Sequence, residues 1–142
     1  MSRPSVFLLV EDNEDDAFFM RRAFRAAGLC NDLHVVSNGE EAIDYLLGKN
    51  EFNDRKRFPK PDLIFLDLKM PGLNGFDVLS WMRTQQDLGV KVAVLTSSAE
   101  EVDRQKATRL GADCYLLKPP DAAALLSVCK TFNLNCAQRS AG

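Results

Sequence analysis

The sequence is poor in the side chains that bind transition metals. Its 142 residues include a single histidine, His34, and four cysteines that form no Cys-x-x-Cys pair. A histidine-rich metal site and a zinc site of conventional ligand spacing are therefore excluded. We expect structural or incidental roles for all four cysteines, with Cys114 and Cys129 as buried thiols in apolar elements. For Cys136, near the end of the chain, a disulfide between two molecules is the alternative.

Long apolar runs and a strong excess of one charge are also lacking. The formal net charge is −2, which gives no reason to expect general affinity for nucleic acids. No apolar run approaches the ~18 residues of a membrane-spanning helix. The first residues, Met1-Ser2-Arg3-Pro4, lead into a short apolar run that ends at acid, unlike a signal peptide. We therefore expect a soluble cytoplasmic protein whose partners include neither nucleic acid nor membrane.

Three short apolar runs are present, and each ends at residues suited to phosphate chemistry. Val6–Val10 leads into Glu11-Asp12, Leu63–Leu66 into Asp67, and Tyr115–Leu117 into Lys118-Pro119. Such runs are typical of parallel strands that are covered on both faces. The carboxyl ends of these strands line the crevice where open α/β sheets bind ligands. Three carboxylates would repel one another there, so the pattern predicts a divalent cation among them.

The remaining pattern alternates strands and helices, which predicts one α/β domain: a doubly wound parallel sheet of five strands. The expected strands are 6–10, 33–36, 62–66, 92–95 and 114–117. The expected helices are about 15–27, 39–47, 76–84, 100–110 and 122–132. Asp15 or Asp16 is the expected cap of the first helix and Asp121 that of the last. In the last helix the predicted buried stripe is Ala122, Leu125, Leu126, Cys129 and Phe132.

Two segments are expected to be less firmly packed. Lys49–Pro61 is polar and rich in basic residues, which indicates an exposed loop, either a solvated connector or a partner-contacting insertion. The helix at about 100–110 has few apolar positions, so its placement should be soft.

Asp67 is the candidate nucleophile because it stands alone at the end of a central strand. Magnesium is commonly held by one or two carboxylates together with waters and phosphate oxygens. A carboxylate left free of the ion can attack a phosphoryl group and form an acyl phosphate. Lys118 could neutralise the transferring oxygens, and Thr96 could donate a hydrogen bond to one of them.

Taken together, these motifs resemble the receiver domain of two-component response regulators over residues 5–132, which leaves 133–142 as a C-terminal tail. The motifs are Glu11-Asp12, the stretch Asp67–Gly75, Thr96-Ser97 and Lys118-Pro119. The resemblance implies a flavodoxin-like (βα)5 fold with strand order 2-1-3-4-5, an order for which the chemotaxis receiver is a standard example. It implies a signalling protein rather than an enzyme, one that accepts a phosphoryl group on Asp67 from a sensor histidine kinase.

The resemblance also implies roles for single residues. Magnesium would be held by Asp12, Asp67, the backbone carbonyl of Lys69 and, through water, Glu11. The groups implied in phosphoryl binding and switching are Thr96, Ser97, Lys118 and the aromatic Tyr115. The Lys118–Pro119 peptide bond is implied to be cis. Within the family, Asp15-Asp16 and the basic loop resemble stand-alone receivers that partner phytochrome-type kinases.

Two other interpretations are a phosphatase or phosphotransferase that acts on small molecules and a degenerate receiver that binds partners without phosphorylation. Small-molecule phosphatases of the aspartyl-phosphate type usually carry a second acid two residues after the nucleophile; here that position is Lys69, and the chain is too short for a cap domain. A degenerate receiver would lack some of the key residue types, and here all are present.

The outward face of the last helix is poor in charge, which suggests a homodimer or a partner docked there. Its residues are Ala123, Ala124, Ser127 and Thr131.

Overall fold

The computed structural model describes residues 3–86 and 88–137 and contains a five-stranded parallel sheet. The strands are β1 Phe7–Val10, β2 Leu33–Val36, β3 Leu63–Leu66, β4 Lys91–Thr96 and β5 Cys114–Leu117. The helices are α1 Glu14–Ala26, α2 Gly39–Leu47, α3 Gly75–Arg83, α4 Glu101–Arg109 and α5 Ala122–Thr131. The strands lie in the order β2-β1-β3-β4-β5, so the predicted fold class and topology are confirmed.

The central strands are buried because helices cover both faces of the sheet. Every residue of β1 and β3 is buried, and alternate side chains enter separate cores. Phe7 and Phe65 stack in one core with ring centroids 5.8 Å apart, beside Phe24 of α1. Leu66 lies in the other core, with side chains of α2 and α3. No helix in the described residues is long and apolar enough to cross a membrane.

The residue that caps the first helix differs from the two that were predicted. Asn13, rather than Asp15 or Asp16, caps α1: its side-chain oxygen accepts from the Asp16 amide at 3.1 Å. The predicted cap was wrong because asparagine serves equally well at this position. The two aspartates lie instead in the first turn, where their negative charge is favourable to the helix dipole. The carboxylate of Asp16 is thereby left available for other contacts.

The last helix follows its prediction in part. Asp121 caps α5 as expected, accepting from the Ala124 amide at 2.8 Å. Leu125, Cys129 and the unpredicted Val128 are buried, and Ala122 and Phe132 are partly buried. Leu126 is 36% exposed, so the prediction was wrong at that position. Leu126 lies one residue after the buried Leu125 and is turned away from the sheet.

The segment Lys49–Pro61 is not a simple exposed loop, and that prediction was wrong in part. It contains a short 3-10 helix, Asn50–Phe52, and buries Phe52 against the ring of Tyr45 with centroids 5.0 Å apart. The guanidinium of Arg55 donates to the carbonyls of Leu46 and Phe58. Sequence spacing alone did not reveal this anchor because two of its partners, Tyr45 and Leu46, lie on α2, outside the segment. The basic side chains at 49, 56, 57 and 60 remain exposed.

His34 lies beside the same aromatic rings, 5.8 Å from Tyr45 and 6.2 Å from Phe58 between centroids. Its Nε2 atom is buried and finds no hydrogen-bond partner among the described residues. Burial lowers the pKa of His34, because the charged imidazolium loses hydration there. At neutral pH the ring is therefore uncharged in the folded protein.

We expect the free energy of unfolding to fall as the pH falls below about 6.5, the ordinary histidine value. There the unfolded chain binds a proton that folded His34 does not, so acid favours unfolding. Urea denaturation at pH 7.5 and 5.5 should show a smaller loss for His34→Gln, which cannot titrate, than for the wild type. Equal losses in both proteins would contradict this.

The chain after α5 returns to the start of the sheet. The carbonyl of Asn135 accepts from the Ser5 amide at 2.8 Å, and that of Ala137 accepts from the Cys30 amide at 2.7 Å. Cys129 and Cys136 form a disulfide within the chain. A buried free thiol at Cys129 and a bond between molecules through Cys136 were therefore wrong expectations, since the turn after α5 brings the two sulfurs together. Cys114 is a partly buried thiol, and burial raises its pKa to about 11.

The fourth helix has little to hold it, as its composition predicts. Within α4, only Ala107 is buried, and Val102 is 71% exposed. Glu100 at the N-cap makes no side-chain capping bond. The contacts at its first turn come from neighbouring loops: Asp103 accepts from the Ser98 hydroxyl at 2.9 Å and pairs with Lys69 at 3.7 Å.

Candidate functional site

Three carboxylates meet at the carboxyl ends of β1 and β3. These strands are neighbours, with Val10 opposite Leu66, so the residues that follow them emerge side by side. One oxygen from each of Glu11, Asp12 and Asp67 lies within 4.8 Å of the others. Glu11 and Asp67 are buried, whereas Asp12 is exposed.

The Lys118 ammonium enters this cluster from the end of β5. Its Nζ lies 2.5 Å from Glu11 Oε1, 2.9 Å from Asp16 Oδ2 and 3.3 Å from Asp67 Oδ2. The peptide bond between Lys118 and Pro119 is cis, as the family resemblance implies. The lysine side chain is 12% exposed, so its charge is held mainly by these carboxylates rather than by water.

Burial and charge shift the titration of this cluster. Burial raises the pKa of Glu11 to about 7; the charge of Asp67 adds to the increase, and the hydrogen bond from Lys118 opposes it. Burial alone would lower the pKa of Lys118, but its bonds to Glu11 and Asp16 and the charge of Asp67 raise the pKa above its ordinary value. Lys118 is therefore a cation at neutral pH.

The donor set fits a hard divalent cation. Carboxylates outnumber ammonium groups in the cluster, and oxygen ligands at such a rim are those that magnesium prefers. Glu11 and Asp67 are buried side by side, so a cation between them would relieve the repulsion between their carboxylates. Glu11, Asp12 and Asp67 are the residues that could hold the ion.

The loop after β4 connects the site to α4. Thr96 is buried at the end of the strand, and its Oγ1 accepts from the Ser98 amide at 3.2 Å. Ser97 is exposed. The Tyr115 hydroxyl donates to the Ser98 carbonyl at 2.8 Å, which ties the ring to this loop. Ser98 thus lies between Thr96, Tyr115 and the start of α4.

The loop after β3 orients the candidate nucleophile. The Lys69 amide donates to Asp67 Oδ1 at 3.2 Å, leaving Oδ2 turned towards Lys118. Gly75 packs directly against the Asp67 carbonyl, where a Cβ atom would collide with backbone. The glycine is thus required by this close approach rather than by an unusual dihedral angle.

Asp16 is the site residue that sequence reasoning missed. Its contact with Lys118 joins residues 102 positions apart, and the sequence suggested only a capping role for it. The available signal was its place in the first turn of a helix that follows an acidic strand end. That turn lies at the same rim as Glu11 and Asp12.

Comparisons with known proteins agree with this geometry. The family model described as "Response regulator receiver domain" matches residues 7–130. The response regulator Rcp1 of Synechocystis is 33% identical over 116 residues, which are 81% of this chain and 77% of Rcp1. Its solved Mn²⁺-bound form has a TM-score of 0.74 at 30% identity, covering 97% of this chain and 100% of that one.

Two further solved structures cover almost the whole chain. The bacteriophytochrome response regulator AtBRR has a TM-score of 0.83 at 29% identity, over 99% of this chain and all of that one. Response regulator RPA3017, described in red light signalling of R. palustris, has a TM-score of 0.84 at 30% identity, over 98% of this chain and all of that one. The similarity thus extends beyond the acidic cluster to the fold as a whole.

Proposed function

This chain belongs to the receiver-domain family of response regulators, and on that premise we propose that Asp67 accepts a phosphoryl group from a sensor histidine kinase. The observation that carries the proposal is the buried Asp67 carboxylate, which has one oxygen held by the Lys69 amide and the other facing an ammonium. A buried carboxylate held in one orientation is a suitable nucleophile for an in-line displacement.

The transfer balances with the groups that are present. A carboxylate oxygen of Asp67 attacks the phosphorus of a phosphohistidine, an O–P bond forms, and the P–N bond breaks. The electron pair of that bond returns to the imidazole nitrogen of the kinase. The Lys118 ammonium, 3.3 Å from Asp67 Oδ2, stabilises charge on the phosphoryl oxygens.

We assign magnesium as the cofactor, held by Asp12 and Asp67, by the Lys69 carbonyl and, through water, by Glu11. When bound, the ion supplies charge neutralisation for the transferring oxygens. The acidic cluster supports this assignment, and so does the solved Mn²⁺-bound form of the similar Rcp1. The Lys69 amide bond to Asp67 keeps that loop beside the cluster.

Incubation with acetyl phosphate tests the proposal directly. In the presence of magnesium, intact-mass measurement should show a single phosphoryl adduct, and chelation by EDTA should prevent it. Acid-stable phosphate on a serine or threonine would contradict the proposal, since an acyl phosphate hydrolyses readily.

The upstream partner that the relatives favour is a phytochrome-type kinase. Structures with high similarity over nearly the whole chain are described as bacteriophytochrome or red-light response regulators. Phosphotransfer from a purified phytochrome-type kinase, compared with an unrelated sensor kinase at equal concentration, tests this choice. Equal rates from both kinases would leave the choice without support.

The switch that we propose begins at Thr96. A phosphoryl group on Asp67 adds strong acceptor oxygens, and the Thr96 hydroxyl would turn to donate to one of them, with Ser97 at the same loop. The Ser98 amide would then lose its acceptor at 3.2 Å, and the loop that holds the Tyr115 hydroxyl would move. Since α4 is anchored by Ala107 and by loop contacts, it can follow at low cost.

The surface formed by α4, β5 and α5 is where we expect the signal to leave the domain, through a homodimer or a partner. Large apolar side chains of α4 and β5 are exposed on it: Val102 by 71% and Leu117 by 51%. The small residues of α5 beside them would pack against a second subunit without burying charge.

Ala124→Glu should weaken self-association, because it places a charge in that surface. Light scattering of the phosphorylated protein should show a mass nearer to that of the monomer. Ser80→Glu, at an exposed position of α3, is the matched control and should leave the mass unchanged. An unchanged mass and unchanged phosphotransfer in Ala124→Glu would place the output surface elsewhere.

A further inference from the structure

The Lys118 ammonium is shared by more carboxylates than the proposed reaction requires. Phosphoryl transfer calls for Lys118 beside Asp67, yet the ammonium lies nearer to Asp16, at 2.9 Å, than to Asp67, at 3.3 Å. Asp16 does not cap its own helix, since Asn13 has that role. Its side chain is 35% exposed, compared with 7% for Asp67, so water can replace it readily when Lys118 turns away.

We propose that Asp16 is a positioning residue that competes with the phosphoryl group for Lys118 and thereby shortens the lifetime of phosphorylated Asp67. This inference rests on the proposed function. An ammonium has three donor hydrogens, and in this structure three carboxylates contact it. A phosphoryl oxygen that needs one of those donors must displace a carboxylate, and Asp16 is the most solvent-exposed of the three.

Charge acts in the same direction as the competition for donors. Phosphorylation adds negative charge beside carboxylates that already repel one another. Asp16 keeps part of the Lys118 charge away from the phosphoryl oxygens, so the added charge is less well neutralised. This destabilises the acyl phosphate relative to hydrolysis, so removal of the Asp16 carboxylate should prolong its lifetime.

Asp16→Asn is the test, and Asp15→Asn is its matched control. Both substitutions remove one charge from the first turn of α1, but Asp15 is exposed, and only Asp16 pairs with Lys118. Acyl phosphate decay is followed by intact mass after removal of the phosphodonor. For a partly exposed ion pair we expect decay about two- to fivefold slower in Asp16→Asn, and unchanged in Asp15→Asn. Asp16→Glu, which retains the carboxylate, should restore the wild-type decay.

A second pair of variants tests whether the effect acts through Lys118. In a Lys118→Met background, Asp16→Asn should change the decay no more than Asp15→Asn does, because the competition for the ammonium is gone. Faster or unchanged decay in Asp16→Asn overturns the inference. An effect that persists in the Lys118→Met background overturns it as well, since it would reflect charge repulsion alone.

A measurement without metal or phosphate separates this inference from the proposed function. In ¹⁵N–¹H spectra of the metal-free protein, the Lys118 ammonium signal should shift in Asp16→Asn and stay in place in Asp15→Asn. If the chemical shift of the Lys118 ammonium is the same in Asp16→Asn as in the wild type, the inference is overturned, even when Asp67 is phosphorylated normally. Conversely, a shifted signal in a protein that takes up no phosphoryl group would overturn the proposed function, and with it the claimed effect on lifetime, while leaving the ion pair established.

Discussion

Asp67→Asn is expected to abolish the phosphoryl adduct, the largest effect that this structure predicts. The amide is close to the carboxylate in shape, and its oxygen can still accept from the Lys69 amide, which lies 3.2 Å from Oδ1 in the wild type. It lacks the charge and nucleophilicity needed to attack phosphorus. Intact-mass measurement after incubation with acetyl phosphate and magnesium should therefore show the unmodified protein alone.

Two controls make that result specific. Asp15→Asn carries the same change at an exposed position and should be phosphorylated like the wild type. Circular dichroism of Asp67→Asn should show an intact fold, because removal of one of several mutually repelling carboxylates relieves repulsion rather than packing. An Asp67→Asn protein that is labelled as fully as the wild type would exclude Asp67 as the acceptor.

Asp12→Ala should weaken magnesium binding by about tenfold or more, since even outer-shell groups are typically worth 10–100-fold in metal affinity. Asp12 is the exposed member of the acidic cluster, whereas Glu11 is paired with Lys118. It therefore offers a ligand oxygen to an incoming ion with the least rearrangement. Isothermal titration calorimetry with magnesium chloride at constant ionic strength measures the affinity.

Asp15→Ala tests whether the loss follows from general charge reduction near the site. It removes an equal charge three residues further along the chain, outside the cluster, and should change the affinity little because exposed charges are screened by salt. If Asp12→Ala binds magnesium like the wild type, the ion site does not include Asp12. If both variants lose affinity equally, the effect is one of long-range charge.

The sequence alone was enough to predict the sheet and the convergence of its polar ends. Buried runs such as Val6–Val10 and Leu63–Leu66 leave few alternatives, because a strand covered on both faces admits no polar residue until it ends. The charges that end those runs, Glu11 and Asp67, must then share a rim. This pattern depends on a few consecutive residues, so it holds whatever the rest of the chain packs against.

Contacts between segments that are far apart in the sequence could not be predicted from local sequence patterns. The pairing of Asp16 with Lys118, the Cys129–Cys136 disulfide and the burial of Phe52 on Tyr45 each depend on where a loop or tail settles in three dimensions. The prediction of the α1 cap was wrong for a different reason. Asparagine and aspartate are both favoured at this position, so residue type alone does not distinguish Asn13 from Asp15 or Asp16. Apart from Leu126 in the middle of α5, each wrong prediction thus lies at an element end or beyond it.

Under the proposed switch, the weak anchoring of α4 has a consequence even before Asp67 is phosphorylated. When two arrangements of an element differ by only a few kcal/mol, the minor one is occupied by about 0.1–10% of molecules. With Ala107 as the single buried residue of α4, the active arrangement should belong to that populated minority before any kinase has acted. Basal output would then scale with the amount of protein in the cell, so expression level and kinase activity would both set the signal. A substitution that buries one more apolar side chain under α4 should lower this background and also make the response harder to elicit.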